Sequence, residues 1–364
     1  MSTHIGLAQP DDLFSRVALI IEQAQSSVVR TVNVEMVKAY WLIGREIIEE
    51  EQAGGSRAEY GERLIVELSK RLTARYGSGF SATNLKYCRQ FYLAYRDRVL
   101  RIGHAPGDES SHDTKSHAVR GQFSPNLSWT HYRRLMRVES EHARSFYEIE
   151  AIRSRWSSRE LERQINSLLF ERLAQSRDRQ GVMELATKGQ QIATSTDIIK
   201  DPYVLEFLGL PESHRLVESD LEAALVTHLR DFLLELGRGF AFVARQHRLT
   251  LDGDHFYVDL VFYQIPLKCY VLIDLKVGKL NHADLGQMQL YVNYYDRDIR
   301  SDTDNPTIGL ILCTDKNDAV VRYTLGEGNE QIFASRYKLY LPDEAELAAE
   351  IRREVEMLTE GKEN

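Results

Sequence analysis

HFYVDLVFYQIPLKCYVLIDLK, residues 255–276, reads as two β-strands joined by a short polar break at Gln264-Ile265-Pro266. Strand side chains alternate between faces, so residues two apart share one. That spacing puts Asp259 with Tyr257 and Val261 on the first strand. On the second, Asp274 and Lys276 point the same way, with Leu272 and Tyr270 behind them. Carboxylates seldom sit inside apolar β runs, because burying an unpaired charge costs on the order of several kcal/mol. Two carboxylates and a lysine on adjacent strands need mutual compensation, and a hard divalent cation held by carboxylate oxygens is the simplest form of it.

The chain around this stretch has 364 residues, enough for two or three domains. Its 43% apolar and 27% charged composition is that of an ordinary globular protein. No apolar run has the length of a transmembrane helix, and the N-terminus carries no signal-peptide core. Cys88, Cys269 and Cys313 stand singly, which argues against disulfides or a zinc site and predicts a reducing cytoplasm. The net charge of −8 is not that of a general nucleic-acid coat, although a local basic face can bind phosphate inside an acidic protein.

Upstream, residues 11–50 carry two helical patterns, one through Leu13, Val17, Ile20, Ile21 and Ala24, the other through Val37, Tyr40, Trp41, Gly44 and Ile48. A Gly54-Gly55-Ser56 break follows, then an amphipathic helix from Ala58 to Tyr76, a glycine turn, and a helix capped by Ser81. That helix places Leu85, Cys88, Tyr92 and Tyr95 on one side and Lys86, Arg89 and Arg96 on another, with Asn84 and Gln90 close by. Helix, glycine turn, basic helix is the pattern of a helix-turn-helix reader of DNA. A solvated basic face on a helix hairpin reads the same way, and the pattern leaves both open.

Residues 101–127 are aperiodic and rich in Gly, Ser, Asp and His, predicting an exposed loop in which His104, His112 and His117 are solvated. Three helical stretches occupy 128–175, the last opened by a Ser157–Glu160 capping box. Their arginines are interleaved with glutamates, and Arg133, Arg134 and Arg137 are the candidates for a phosphate-binding groove. Trp129 and Trp156 read as core anchors. Residues 176–200 read as a polar, weakly helical connection between domains. The second domain then opens with a helix over 218–237, in which Glu222 flanks the stripe of Leu221, Leu225, Leu229, Phe232 and Leu236. A strand near 241–250, the two opening strands, a helix over 282–295, a strand at 307–313 and a last strand within 331–341 complete it. An amphipathic helix begins at Pro342.

This order carries Glu222, Asp259, Asp274-Leu275-Lys276, and then Gln287 and Tyr291 one helical turn apart. The set resembles the PD-(D/E)xK nuclease superfamily, and Gln287-Met-Gln-Leu-Tyr291 resembles the QxxxY element of its exonuclease-like branch. YWLIGREIIEEEQ, GFSATNLKYCRQFY, SWTHYRRL, WSSRELERQI, FYVDLVFY, IDLKVGKL and GQMQLYVNYYD together resemble the bacterial YhcG-like PD-(D/E)xK family, from about residue 13 to about residue 345. The resemblance implies a helical, helix-turn-helix or winged-helix-like DNA-binding domain over 1–175, with 176–200 as linker. It implies a restriction-endonuclease-like αβββαβ domain over 201–345, and a charged tail over 346–364. Two positions depart from the pattern: Val258 stands where the proline falls, and Asp274 stands where glutamate is commoner. The shorter Asp274 sets its oxygens back by one methylene.

The resemblance further implies that Asp259, Asp274 and Glu222 hold Mg²⁺, with Mn²⁺ as a substitute, and that Lys276 positions the attacking water. Gln287 and Tyr291 would then orient Lys276 or the substrate backbone. Hydrolysis of DNA, in foreign-DNA defence or mobile-element processing, is the activity this predicts. Pairing of two copies is implied too, since superfamily members often dimerise to cut both strands; no other protein partner is indicated. Two rival readings stand beside it. One is a nucleic-acid-binding or assembly protein whose nuclease fold is silent, its Lys276 a buried salt-bridge partner of the two aspartates. The other is a nuclease directed at RNA.

Overall fold

The computed structural model describes residues 13–53, 58–98, 123–174, 179–210, 217–325 and 329–341. The Gly54-Gly55-Ser56 break, the three loop histidines and the helix expected from Pro342 lie outside the described residues. Two compact units are present, Met1–Glu162 and Arg163–Asn364. None of the described helices is long and apolar enough to cross a membrane.

The first unit is helical throughout its described residues, and no strand pair of a wing is among them. Its helices are α1 (Leu13–Ala53), α2 (Ala58–Tyr76), α3 (Ala82–Ala94), α4 (Trp129–Leu135), α5 (Glu141–Arg153) and the start of α6 (Ser158–Asn166). The two patterns expected in 11–50 are one continuous helix. Gly44 explains how α1 lies so close to α3: a Cβ there would meet the Cys88 carbonyl. Trp41 Nε1 donates to the Tyr95 carbonyl at 3.0 Å, tying the same two helices together. The Ser81 cap and the Ser157–Glu160 capping box form as expected. The loop expected over 101–127 is not exposed to its end, because Phe123 and Leu127 are buried. Phe123 packs with Phe91, Tyr95 and Tyr132, an aromatic cluster that also takes in Trp129.

The second unit is built on a six-stranded sheet. Its strands are β1 (Tyr203–Val204), β2 (Phe240–Leu251), β3 (Asp254–Gln264), β4 (Cys269–Lys279), β5 (Ile308–Asp315) and β6 (Ile332–Lys338), in the order β1-β6-β5-β4-β3-β2. β3 runs antiparallel to both β2 and β4, while β4, β5, β6 and β1 are mutually parallel. The expected helix over 218–237 breaks at His228 into α9 (Glu218–Thr227) and α10 (Leu229–Leu236). These cover one face of the sheet, where Leu221, Leu225, Phe232 and Leu236 pack on Leu260, Phe262, Ile273 and Leu275. α11 (His282–Tyr294) covers the other, with Leu285, Met288, Tyr291 and Val292 over Val261, Leu272 and Ile311. β4 is covered on both sides, which is why VLIDL is nearly all apolar. Gly309 on β5 admits α11 closely, for a Cβ there would clash with Met288. α12 (Asp318–Leu325) follows β5.

By contacts the second unit begins at Arg163, ahead of the sequence boundary expected near 175, because the C-terminal part of α6 and α7 (Leu169–Ala174) bury arginines in it. Arg172 Nη1 lies 2.6 Å from Glu235 Oε1 and Arg163 Nη2 3.3 Å from Glu235 Oε2, with Arg163 also on Glu206 at 2.8 Å. The connection over 176–200 carries α8 (Arg179–Lys188), and its Leu185, Ala186, Gln190 and Lys200 are buried.

Burial alone would raise the Glu235 pKa, but Arg172, Lys200 and Arg163 outweigh it and hold the carboxyl at about 2. A depressed carboxylate stabilises the fold above its unfolded pKa of about 4.5, and that contribution fades as pH falls through the folded value. Glu235→Gln should therefore cost about 3 kcal/mol at neutral pH. In urea titrations the difference from wild type should shrink between pH 4.5 and about 2; a gap that persists at the acid end would show another origin.

Candidate active site

The site forms where β3 and β4 part. Their pairing runs from Gln264↔Cys269 to Leu260↔Ile273 and stops. One step further, the same register would set Asp259 opposite Asp274. Instead the Asp259 carboxylate replaces the next ladder bond, its Oδ2 accepting the Leu275 backbone N–H at 2.8 Å. Asp274 stays in register with β5, opposite Ile311, and is buried at the centre of the sheet. Strict alternation fails here: Val258 and Val261, three apart, both pack in the α11-side core, so Asp259 does not simply share a face with Tyr257 and Val261.

Asp259 and Asp274 lie close enough to act on each other's ionisation. Burial pushes the Asp274 pKa up and the Asp259 charge adds to this, while Lys276 opposes it. Asp259 is raised as well, by burial first, against the pull of the Leu275 N–H. Lys276 Nζ stands 3.0 Å from Asp274 Oδ2 and 3.8 Å from Glu218 Oε2. Burial works against its charge, yet Asp274 and Glu218 hold the ammonium above its ordinary pKa. Asp274 Oδ2, buried in the sheet, therefore rests on this one ammonium.

Glu222, on α9, is buried and faces the same place from the sheet's other neighbour. Its Oε1 accepts from Arg245 Nε, and its Oε2 from Gln246 Nε2 at 2.6 Å. The same Gln246 nitrogen reaches Asp259 Oδ1 at 2.9 Å, so one amide links the two carboxylates. Glu218, one helical turn before Glu222, also accepts the Val277 N–H at 3.2 Å. Four carboxylates thus face two cationic side chains, Arg245 and Lys276. Surplus negative charge and hard oxygen ligands fit a divalent cation. Among the described residues, however, no three His, Cys, Asp or Glu side chains converge on one cation position. Asp259 and Asp274 come together; Glu222 stands one amide away.

Gln287 and Tyr291 lie beside the fork, where the charges of Asp274, Asp259 and Lys276 act on the Tyr291 hydroxyl. Gln287 Nε2 donates to Tyr291 Oη, and that hydroxyl donates to the Tyr257 carbonyl at 3.0 Å. The pair fastens α11 to β3 two residues before Asp259 and forms no hydrogen bond with Lys276. Sequence reasoning also missed Glu218, Arg245 and Gln246. Glu218 was signalled by its four-residue spacing from Glu222. Arg245 and Gln246 carried no signal, since their contacts depend on an irregularity in β2.

The basic helix of the first unit is more engaged than its pattern implies. Arg89 Nε is shared by both Glu51 oxygens at 3.0 and 2.8 Å, and Asn84 bonds the Gly79 carbonyl and Trp129 Nε1. Arg134 pairs with Glu162 at 2.8 Å, and Arg133 lies over the Tyr87 ring at 4.3 Å. Gln90 is exposed. Lys86, Arg96 and Arg137 are each more than half exposed, in loose surface ion pairs at 3.7, 3.9 and 3.5 Å.

A forked pair of central strands with two aspartates at the fork and a lysine two residues on is the arrangement of a PD-(D/E)xK-type nuclease domain. Comparison with known proteins agrees. Residues 196–355 match the family model of the YhcG PDDEXK nuclease domain, and residues 16–172 match that of the DUF1016 N-terminal domain. A protein of Escherichia coli K12 named "Putative nuclease YhcG" is 41% identical over 353 residues, covering 94% of this chain and 93% of its own. The chain belongs to this YhcG family. A crystal structure of a repair endonuclease from Pyrococcus abyssi overlaps 36% of this chain and 50% of its own at 17% identity. Its TM-score of 0.25 is too low to bear on the fold.

Tyr291→Phe should remove the donor to the Tyr257 carbonyl and lower stability by about 1–2 kcal/mol in urea unfolding. An unchanged midpoint would mean that the hydroxyl does not fasten α11 to β3.

Proposed function

We propose that the chain is a metal-dependent phosphodiesterase that hydrolyses DNA, with Asp259, Asp274 and Glu222 as carboxylates for Mg²⁺ or Mn²⁺. The observation that carries this is the Asp259–Asp274 pair, in which burial and the Asp259 charge both raise the Asp274 pKa against the pull of the Lys276 ammonium 3.0 Å away. A divalent cation at such a site acidifies a water and polarises the scissile phosphate. The residues of the chain do the rest. Asp259 is fixed by the Leu275 N–H and Asp274 by its place in the central strand, so their oxygens are set before substrate arrives. Lys276, held over Asp274 with Glu218 behind it, keeps its proton and offers a donor to the attacking water and to charge developing at phosphorus. Gln287 and Tyr291 keep β3 seated under α11 and so support Asp259 from behind.

The helical unit is the proposed DNA-binding part, with Lys86, Arg96 and Arg137 as phosphate contacts and Gln90 beside them. Arg89, Asn84 and Arg134 serve the unit's own packing. Lys86→Ala or Arg137→Ala should each lower the slope of log K against log salt by about 1. A slope equal to that of wild type would remove the substituted residue from the interface.

Cleavage is tested on linear, circular, single-stranded and branched DNA, and on RNA, with Mg²⁺, Mn²⁺ or EDTA. Metal-dependent products from the wild-type chain should fall by at least about a hundredfold in Lys276→Ala and Asp274→Ala. Products unaffected by EDTA or by either substitution would remove the assigned site. Binding without cleavage under every condition would favour the silent-fold reading, and cleavage confined to RNA would change the substrate class.

A further inference from the structure

Gln246 sits within β2 with a φ of +47°, in the left-handed region that a side chain other than glycine seldom adopts. Its neighbours Arg245 and His247 pair regularly with Leu260 and Val258, and Gln246 lies between them across from Asp259. Irregularities of this kind in strands re-aim a side chain. Here the amide is aimed between two acids of different elements: Nε2 is 2.6 Å from Glu222 Oε2 and 2.9 Å from Asp259 Oδ1. Glu222 is held on its other oxygen by Arg245 and Asp259 on its other oxygen by the Leu275 N–H, so neither carboxylate needs the amide to fix its position.

We propose that Gln246 is a placeholder for the cation. Its amide hydrogens damp the repulsion between Glu222 and Asp259 while the site is metal-free, and it must leave for the third carboxylate to join Asp259 and Asp274. This accounts for a site rich in carboxylates in which three nonetheless fail to converge. Gln246 is exposed, so its side chain can swing into solvent without losing buried surface. The inference rests on the metal site proposed above and adds a positioning role that resists loading. A merely structural side chain would have the opposite effect, since its loss would loosen the site and weaken binding.

The test is calorimetric titration of Mn²⁺ into the full chain and its Gln246→Gly variant, both stripped with EDTA and dialysed free of chelator. Glycine accepts the φ at this position, and circular dichroism before titration establishes that the variant is folded. Gln246→Gly should bind Mn²⁺ about tenfold more tightly, the equivalent of one charge-assisted hydrogen bond no longer broken on loading. Asp259→Asn in the same background should abolish the gain. Equal affinity in wild type and Gln246→Gly would overturn the placeholder role while leaving the metal site standing. Weaker affinity in the variant would overturn it too, because the side chain would then be a ligand. Absence of Mn²⁺ binding by either protein would remove the metal site itself, and the placeholder with it.

Discussion

The hydrogen bond from the Leu275 N–H to the Asp259 carboxylate is the interaction on which the second unit turns. β3 and β4 pair for five residues and then separate, and without a substitute acceptor the freed N–H would be an unsatisfied donor in the middle of a sheet. Asp259 supplies that acceptor. In doing so it is fixed beside Asp274, and one contact both ends the ladder and brings two acids together. The core on each face exists to hold the fork open: α9 and α10 seat Leu260, Ile273 and Leu275, while α11 seats Val261 and Leu272.

Charge accumulates where the strands part. Glu218, Glu222, Asp259 and Asp274 face Arg245 and Lys276, and burial raises the pKa of both aspartates rather than relieving them. The Glu235 cluster elsewhere in the same unit shows the contrast. There Arg163, Arg172 and Lys200 surround one acid and hold it ionised, and no oxygen of it is left without a donor. One cluster is balanced and serves the fold. The other is unbalanced, and an imbalance of that sign suits a divalent cation.

Much of this was legible in the sequence because it follows period. The apolar runs over 255–276 announced two adjacent strands, and Glu222, Asp259, Asp274 and Lys276 were picked out as charges in or beside apolar settings. Irregular backbone was not legible. The positive φ at Gln246, the three-residue spacing of Val258 and Val261, and the break at His228 leave no mark on a hydrophobic pattern. Partners far along the chain were hidden as well. Arg89 read as a free basic residue because Glu51, thirty-eight residues earlier, gives no local sign of meeting it. The arginines of 128–175 read as interleaved with nearby glutamates, whereas Arg163 and Arg172 meet Glu235, beyond the expected boundary. Gln287 and Tyr291 were found by spacing, but the acceptor they reach, a backbone carbonyl, has no residue type to betray it.

Crystals of the chain soaked in Mn²⁺ and measured at the manganese absorption edge would show directly where a cation settles. The fork geometry predicts an anomalous peak bonded to oxygens of both Asp259 and Asp274, lost in crystals of Asp274→Ala. No peak there under saturating Mn²⁺, or one confined to other acids of the chain, would contradict the assignment of the strand fork as the metal centre.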